Sequence, residues 1–265
     1  MMRVIKIGGN ELKLPGFIDD LARALAQLGE PAIVVHGGGR EIDELQLQLG
    51  QQPIKIQGMR YTDTDALNAA MMILCGLVSK RLVAGLINVG VNAMGLSGVD
   101  GGLLRVQKYP HSDLDLGFVG EIVHVRQDLL SLLTSHGITP VISPICLGED
   151  GQIYNVNADE AASIIAISIR AKSIDFVSNV PGVMVGTELL HAITESESER
   201  LILQGSINSG MIPKVQSAFK AITGGVKDVR IVDLEHLIKP GGTRFTHRPS
   251  GYPSEAIQIT AGGAQ

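Results

Sequence analysis

Val4-Ile5-Lys6-Ile7-Gly8-Gly9-Asn10 is the stretch on which the reading of the whole chain turns. An apolar, β-branched run with little alternation predicts a strand buried on both faces. A lysine inside such a strand is costly to bury unless its charge is used. Gly8 and Gly9 then permit a sharp turn and a close approach of a ligand to backbone N–H groups. The stretch reads either as a strand that ends at an anion with Lys6 aimed at it, or as an edge strand whose lysine snorkels to water. Taken alone, it favours neither.

Outward from it, Ile18, Leu21, Leu25 and Leu28 follow at helical spacing behind Pro15-Gly16, with Gly29 as the stop. Ala32-Ile33-Val34-Val35-His36 is a second apolar strand closed by Gly37-Gly38-Gly39. A helix with Ile42, Leu45 and Leu49 on one face comes next. Strand, helix, strand, glycine turn, helix is a βαβ unit, so a parallel sheet is expected. Residues 52–62 predict a hairpin turning at Gly58, and residues 62–88 a long helix with Leu67, Met71, Leu74, Val78 and Leu82 inward. Further strands are expected at 92–97, 138–143, 173–177 and 226–232. Helices are expected at 129–133, from Asn157-Ala158-Asp159 onward, at 196–204, and from Gly210-Met211-Ile212-Pro213-Lys214 to Gly224. Pro213 falls in a first turn, where it is tolerated. Residues 98–120, rich in Gly and Asp, read as loops and a hairpin rather than core, and residues 247–265 as a loosely held tail.

Composition narrows the function classes. The chain has 265 residues, 45% of them hydrophobic and 18% charged, which suits one large α/β domain or two lobes sharing a sheet. Aromatics make up 3% and tryptophan is absent, which argues against stacking platforms for single-stranded nucleic acid. A net charge of -5 without a basic run argues against nucleic-acid partners generally. Cys75 and Cys146, in apolar contexts without CxxC spacing, read as buried thiols of a reducing compartment. No apolar stretch reads as long as the roughly 18 residues of a membrane span. The first strand begins at once, leaving no room for a signal peptide. The expectation is a cytoplasmic protein with small-molecule substrates.

Three strands end in glycine or polar turns: at Gly8, at Gly37 and at Ser178-Asn179-Val180-Pro181-Gly182. In open α/β sheets ligands bind beyond the carboxyl ends of the strands, where helix N-termini add N–H donors and positive dipole ends. There is no GxxxxGK[ST] loop, no GxGxxG after a strand and no protein-kinase signature. Nucleotide, if bound, uses another glycine-rich scheme. Gly37-Gly38-Gly39 offers consecutive N–H groups at a helix start. The planar fork of Arg60 suits a carboxylate, although an isolated arginine is more often solvated. Asn155, Asn157 and Asp159 alternate, which in extended chain puts them on one face; Asn157 also suits a helix cap with Asp159 in the first turn. Lys214 sits at a helix start, against the dipole preference, so a nearby anion or simple solvation would account for it.

The succession Lys6-Ile7-Gly8-Gly9, His36-Gly37-Gly38-Gly39, Gly58-Met59-Arg60, Leu116-Gly117-Phe118-Val119-Gly120, Asn155-Val156-Asn157-Ala158-Asp159, Ser178-Asn179-Val180-Pro181-Gly182, Gly210-Met211-Ile212-Pro213-Lys214 and Gly242-Thr243-Arg244 resembles the amino-acid kinase family over residues 2–246. The resemblance implies a three-layer αβα sandwich with a mainly parallel central sheet. It implies an N-terminal lobe, residues 1–150, for the acidic substrate and dimerisation, a C-terminal lobe, residues 151–246, for ATP, and a tail at 247–265. The activity it implies is ATP-dependent phosphorylation of the γ-carboxylate of N-acetyl-L-glutamate, the second step of arginine biosynthesis. Lys6 and Lys214 match the lysines that hold the transferring phosphoryl, and Asp159 the carboxylate that orients both. Gly38, Gly39, Arg60, Asn155 and Asn157 match the substrate-binding set. Gly8, Gly9 and Gly210 match the phosphate-contacting set, with Met211, Ser178, Asn179, Val180, Pro181 and Gly182 also in the nucleotide-binding set. Mg²⁺ enters with ATP, since no carboxylate cluster would hold it alone.

Two departures bear on substrate and assembly. Arginine-inhibited members carry an N-terminal helix before the first strand, where this chain has Met1 and Met2, so a homodimer insensitive to arginine is expected. Residues 75–81 and 95–101 are similar to relatives that phosphorylate glutamate or aminoadipate borne on an amino-group carrier protein. Such a carrier and a PII-type regulator are therefore the candidate macromolecular partners. A non-catalytic sensing module is the alternative outside enzymes, and the intact Lys6, Asp159 and Lys214 speak against it.

Overall fold

The structure is a computed structural model that describes residues 2–56, 58–110, 115–207 and 210–247. The chain runs β1 (Arg3–Ile7), α1 (Phe17–Leu28), β2 (Ala32–His36), α2 (Gly39–Gln48), β3 (Lys55–Ile56), β4 (Met59–Arg60), α3 (Thr64–Met71), a π-helical stretch (Met72–Val78) and α4 (Ser79–Asn88). There follow β5 (Ala93–Ser97), β6 (Leu104–Lys108), β7 (Gly120–Val125), α5 (Gln127–Ser135), β8 (Thr139–Ser143), β9 (Ile145–Gly148) and β10 (Ile153–Asn155). The second half holds α6 (Ala158–Ser168), β11 (Ser173–Val177), β12 (Met184–Val185), β13 (Glu188–Leu189), β14 (Ala192–Thr194), α7 (Glu195–Leu203), α8 (Ile212–Thr223), β15 (Asp228–Val232), α9 (Leu234–Ile238) and β16 (Thr243–Thr246).

An eight-stranded sheet in the order β14-β16-β15-β11-β1-β2-β8-β5 forms the middle layer. Its pairings are parallel except β15 with β16. The first strand lies in the centre, between β11 and β2, which removes the edge-strand reading of Lys6. Alternation along β1 separates two cores. Val4 joins Phe176, Ile231, Ala162 and Ala218 on the side of α6 and α8. Ile5 and Ile7 join Leu21, Leu25, Leu74 and Leu82 on the side of α1, α3 and α4. The architecture is the three-layer αβα sandwich with a mainly parallel sheet.

Several expectations need correction. The hairpin expected within residues 98–120 is present as the antiparallel pair β6–β7, but it is not outside the core: among the described residues there, Leu103, Leu104, Val106, Leu116 and Val119 are buried. They belong in part to a second, four-stranded sheet, β10-β9-β6-β7. Glycine-rich composition masked short strands whose inward residues reach the α6-side core. Leu49 is 55% exposed and follows the end of α2 rather than lying on its inner face. The helix Thr64–Asn88 has 25 residues and a window of hydropathy 1.8, so by length and composition a segment long enough to cross a bilayer does occur. An uninterrupted apolar run is a stricter criterion than that average. One face of this helix, with Leu67, Leu74, Val78, Leu82 and Leu86, is core. The strands β9, β12, β13 and β14 and the helix α9 carry too few periodic residues to be read from sequence. Of the tail assigned to residues 247–265, all but His247 lies outside the described residues.

Candidate active site

Beyond the carboxyl end of β1 lies a cleft of about 360 Å³, lined by residues from β1, the Gly37–Gly39 turn, the β3–β4 hairpin, the start of α6 and the start of α8. Lys6 emerges from the central strand on the α6 side, only 4% exposed. Its Nζ lies 2.7 Å from Oδ1 of Asp159. Asp159 is held there because Asn157 caps α6: the Asn157 side-chain oxygen accepts from the N–H of Asp159 at 2.8 Å and of Glu160 at 3.3 Å. In the first turn of α6 the carboxylate also sits at the positive end of the helix dipole. Both sequence readings of Asn157, cap and cleft residue, therefore hold.

Lys214 enters from the opposite wall, in the first turn of α8 behind Pro213. Among the described residues it makes no ion pair within 4 Å. Burial and then the charge of Lys6 pull its pKa down, while Asp159 and Glu11 pull it up. Of the two ammonium groups, only that of Lys6 is in direct contact with a carboxylate. This is a site with unspent positive charge facing a cleft. A further tie between its walls is Lys220 on α8, whose Nζ lies 2.7 Å from Glu160 on α6.

The glycines build the floor. A Cβ on Gly9 would lie 2.8 Å from the Cα of Gly38 and 2.9 Å from the nitrogens of Gly38 and Gly39. The turns after β1 and β2 are therefore in backbone contact, which only glycine permits. A Cβ on Gly38 would meet Leu74 at 2.8 Å, so the floor rests directly on the π-helical stretch. His36 beneath it is fully buried, with Nδ1 3.1 Å from the Gly37 carbonyl oxygen and Nε2 unpartnered. Burial, and to a smaller extent Lys6, push its pKa down to about 4, so the ring is neutral at pH 7.

Arg60 lines the cleft from the hairpin but is already engaged. It pairs with Asp43, donates to Gln46 at 2.8 Å and donates to the Gly39 carbonyl at 2.9 Å. These bonds fix the guanidinium against α2 and the glycine turn.

Of the residues singled out from sequence, Lys6, Gly8, Gly9, Gly38, Gly39, Arg60, Asn155, Asn157, Asp159 and Lys214 line this one cleft. Ser178, Asn179, Val180, Pro181, Gly182, Gly210 and Met211 do not line it. The Ser178–Gly182 segment follows β11 at the same edge of the sheet and is braced from behind: Ser178 N donates to Val232 O at 2.7 Å, and Thr243 Oγ1 accepts from Val183 N at 2.8 Å. A Cβ on Gly182 would meet the Thr243 hydroxyl at 2.5 Å and backbone nitrogen at 2.9 Å. Sequence reasoning missed Asn10, Glu11, Asp43, Tyr109 and Glu160, which also line the cleft. For Glu11 a signal existed: a carboxylate two residues beyond the glycine pair that ends the lysine strand.

The chain is 51% identical to the acetylglutamate kinase of Roseiflexus sp. (strain RS-1), over 92% of this chain and 94% of that protein. It is 50% identical to the acetylglutamate kinase of Roseiflexus castenholzii, over 90% of this chain and 92% of that protein. The crystal structure of smu.665 from Streptococcus mutans UA159 superposes with a TM-score of 0.82 at 29% identity, covering 92% of this chain and 98% of that one. With residues 1–233 matching its pattern, the chain belongs to the amino acid kinase family.

Proposed function

We propose that this protein transfers the γ-phosphoryl group of ATP to the γ-carboxylate of N-acetyl-L-glutamate, forming N-acetyl-L-glutamyl 5-phosphate in arginine biosynthesis. The observation that carries the reading is the Lys6–Asp159 pair facing a second, unpaired lysine, Lys214, across one cleft. The relatives named acetylglutamate kinase supply the substrate.

The chemistry suits this site. A carboxylate nucleophile is already ionised, so no general base is needed. A bond forms between a carboxylate oxygen and the γ-phosphorus while the β–γ bridging bond breaks, its electron pair leaving with ADP. The obstacle is negative charge on both partners and on the equatorial oxygens, so catalysis is positioning plus positive charge. We assign Lys6 and Lys214 to the transferring phosphoryl group and Asp159 to holding Lys6 in place. Gly38, Gly39, Arg60, Asn155 and Asn157 are assigned to the acidic substrate in the first lobe. Gly8, Gly9, Gly210, Met211 and Ser178–Gly182 are assigned to the nucleotide in the second. Mg²⁺ entering with ATP would supply positive charge at the phosphates. Among the described residues no group of three or more His, Cys, Asp or Glu could hold a metal, so the phosphates must provide ligands.

We also assign the protein to the cytoplasm as a homodimer. Cys75 and Cys146 are both free thiols, as in a reducing compartment. The edge strand β5 and the adjacent helix expose Met94, Met72, Leu77 and Ile87, an apolar surface suited to a second copy. The function is tested by ATP consumption with N-acetylglutamate, glutamate, aspartate, carbamate and carrier-protein-linked glutamate or aminoadipate. Turnover with N-acetylglutamate is expected. Absence of it sinks the assignment, and turnover with the carrier-linked substrate alone replaces it by the carrier-dependent reaction.

A further inference from the structure

The site contains a carboxylate that the roles above leave unused. Glu11 lies in a short 3₁₀ turn, Glu11–Lys13, directly beyond Gly8-Gly9. It is 2% exposed and lines the cleft. Its Oε2 is buried with no hydrogen-bond partner, and among the described residues it has no ion pair within 4 Å. Place has been made for it: a Cβ on Gly8 would lie 2.0 Å from Oε2 and 3.0 Å from the carboxyl carbon. The carboxylate therefore rests on the glycine whose missing side chain leaves room for it, at the floor assigned to phosphates.

A buried carboxylate without a partner is costly, and more so beside a polyphosphate. Of the two carboxylates near Lys214, Asp159 is in contact with Lys6, whereas Glu11 acts on Lys214 only through its field. A divalent cation placed with the nucleotide removes both difficulties. Mg²⁺ in kinase sites is held by one or two carboxylates plus substrate phosphates rather than by a protein cage. The set here, one uncommitted buried carboxylate beside a phosphate floor and no larger acidic cluster, fits that description.

We propose that Glu11 is the protein's own ligand, direct or through water, for the divalent cation that accompanies the nucleotide. This rests on the nucleotide reading of the cleft. The consequence is a coupling: Glu11 opposes metal-free ATP and favours ATP with its metal.

The test is calorimetric, without acceptor substrate, so that it does not depend on turnover. ATP affinity is measured for the wild type and for Glu11→Gln, each in EDTA and in excess Mg²⁺. The expected result is that the variant binds metal-free ATP as well as the wild type or better, while the gain from Mg²⁺ falls by about 10–100-fold, the scale of losing a metal-orienting group. An unchanged gain overturns the role of Glu11. Failure of the wild type to bind ATP under either condition overturns the nucleotide reading instead. Where Glu11→Gln does not fold, Glu11→Asp, with its carboxylate withdrawn by one methylene, is judged by the same ratio. A merely structural Glu11 would weaken both affinities together and leave that ratio unmoved.

Discussion

Two groups of buried charge sit on the same central strands. One lies toward their amino ends. Asp175 on β11 is fully buried, with Arg230 of β15 at 2.7 and 2.8 Å and Arg3 of β1 at 3.6 Å. Arg3 in turn meets Glu30 at 3.1 Å, and Glu30 meets Lys172 at 3.0 Å. Every charge there has an opposite charge within 4 Å, although Asp175 Oδ2 is buried without a hydrogen bond. The second group lies at the carboxyl ends, where Lys6 and Asp159 pair but Lys214 and Glu11 do not. The same sheet therefore carries a network in which every charge is ion-paired and one in which two charges are not. Pairing of every charge is what a structural ion network requires, because an unpaired buried charge is destabilising. Leaving charge unanswered makes sense only where a ligand completes the set.

Substitutions separate the two groups. The largest expected effect is from Asp175→Ala, which strands Arg230 and Arg3; it should cost about 3–5 kcal/mol in urea denaturation and leave kcat of the folded fraction near the wild-type value. Loss of activity without loss of stability would break the comparison. At the other end, Lys214→Ala and Lys6→Ala should each lower kcat by about 10²–10³-fold, the scale of removing one preorganised charge donor. Lys214→Ala breaks no ion pair, so its melting temperature should hold. Lys6→Ala leaves Asp159 unpaired and should also destabilise. Wild-type rates in both variants would end the assignment of these lysines.

His36 offers a test through pH. Its pKa falls on folding from an ordinary 6.5 to about 4, because burial disfavours the charged ring. Between those values the unfolded chain binds more protons than the folded one, so stability must fall as pH drops from about 6.5 toward 4. The shift is worth on the order of 3 kcal/mol. Denaturation of the wild type and of His36→Leu across this range should show a shallower slope in the variant; equal slopes would show that the ring is not buried as described. The smallest effect is expected from Arg60→Ala. Its KM for the acidic substrate should rise about tenfold with kcat little changed, as loss of uniform binding does. A fall in kcat with unchanged KM would move Arg60 into the chemistry.

Much of the central architecture was legible because its signals are local. Apolar runs ending in glycine marked β1 and β2, and the positions of Ile18, Leu21 and Leu25 marked α1. The burial of the 98–120 hairpin and the strands of 183–194 were missed because short strands carry too few residues for a period to show. Leu49 followed the helical pattern yet lies outside, since periodicity says which residues share a face and not where the helix ends. In the site, Arg60 was recognised by residue type, but its engagement with Asp43, Gln46 and Gly39 was not. Those partners belong to another element, and no spacing rule links a hairpin to the helix it packs on.

Residue order was enough to specify the parallel αβ scaffold, the glycine turns after its strands and the identity of the charged residues near them. These follow from backbone sterics and from the cost of burying charge, which act along neighbouring residues. That Lys6 is not an edge-strand lysine was decided only when β1 took its place between β11 and β2, leaving it 4% exposed and 2.7 Å from Asp159. The meeting of Lys6 with Lys214, more than 200 positions apart, and the stranding of Glu11 over Gly8 were likewise decided by packing. Charge becomes chemistry only through distance and desolvation, and both are properties of the assembled sheet.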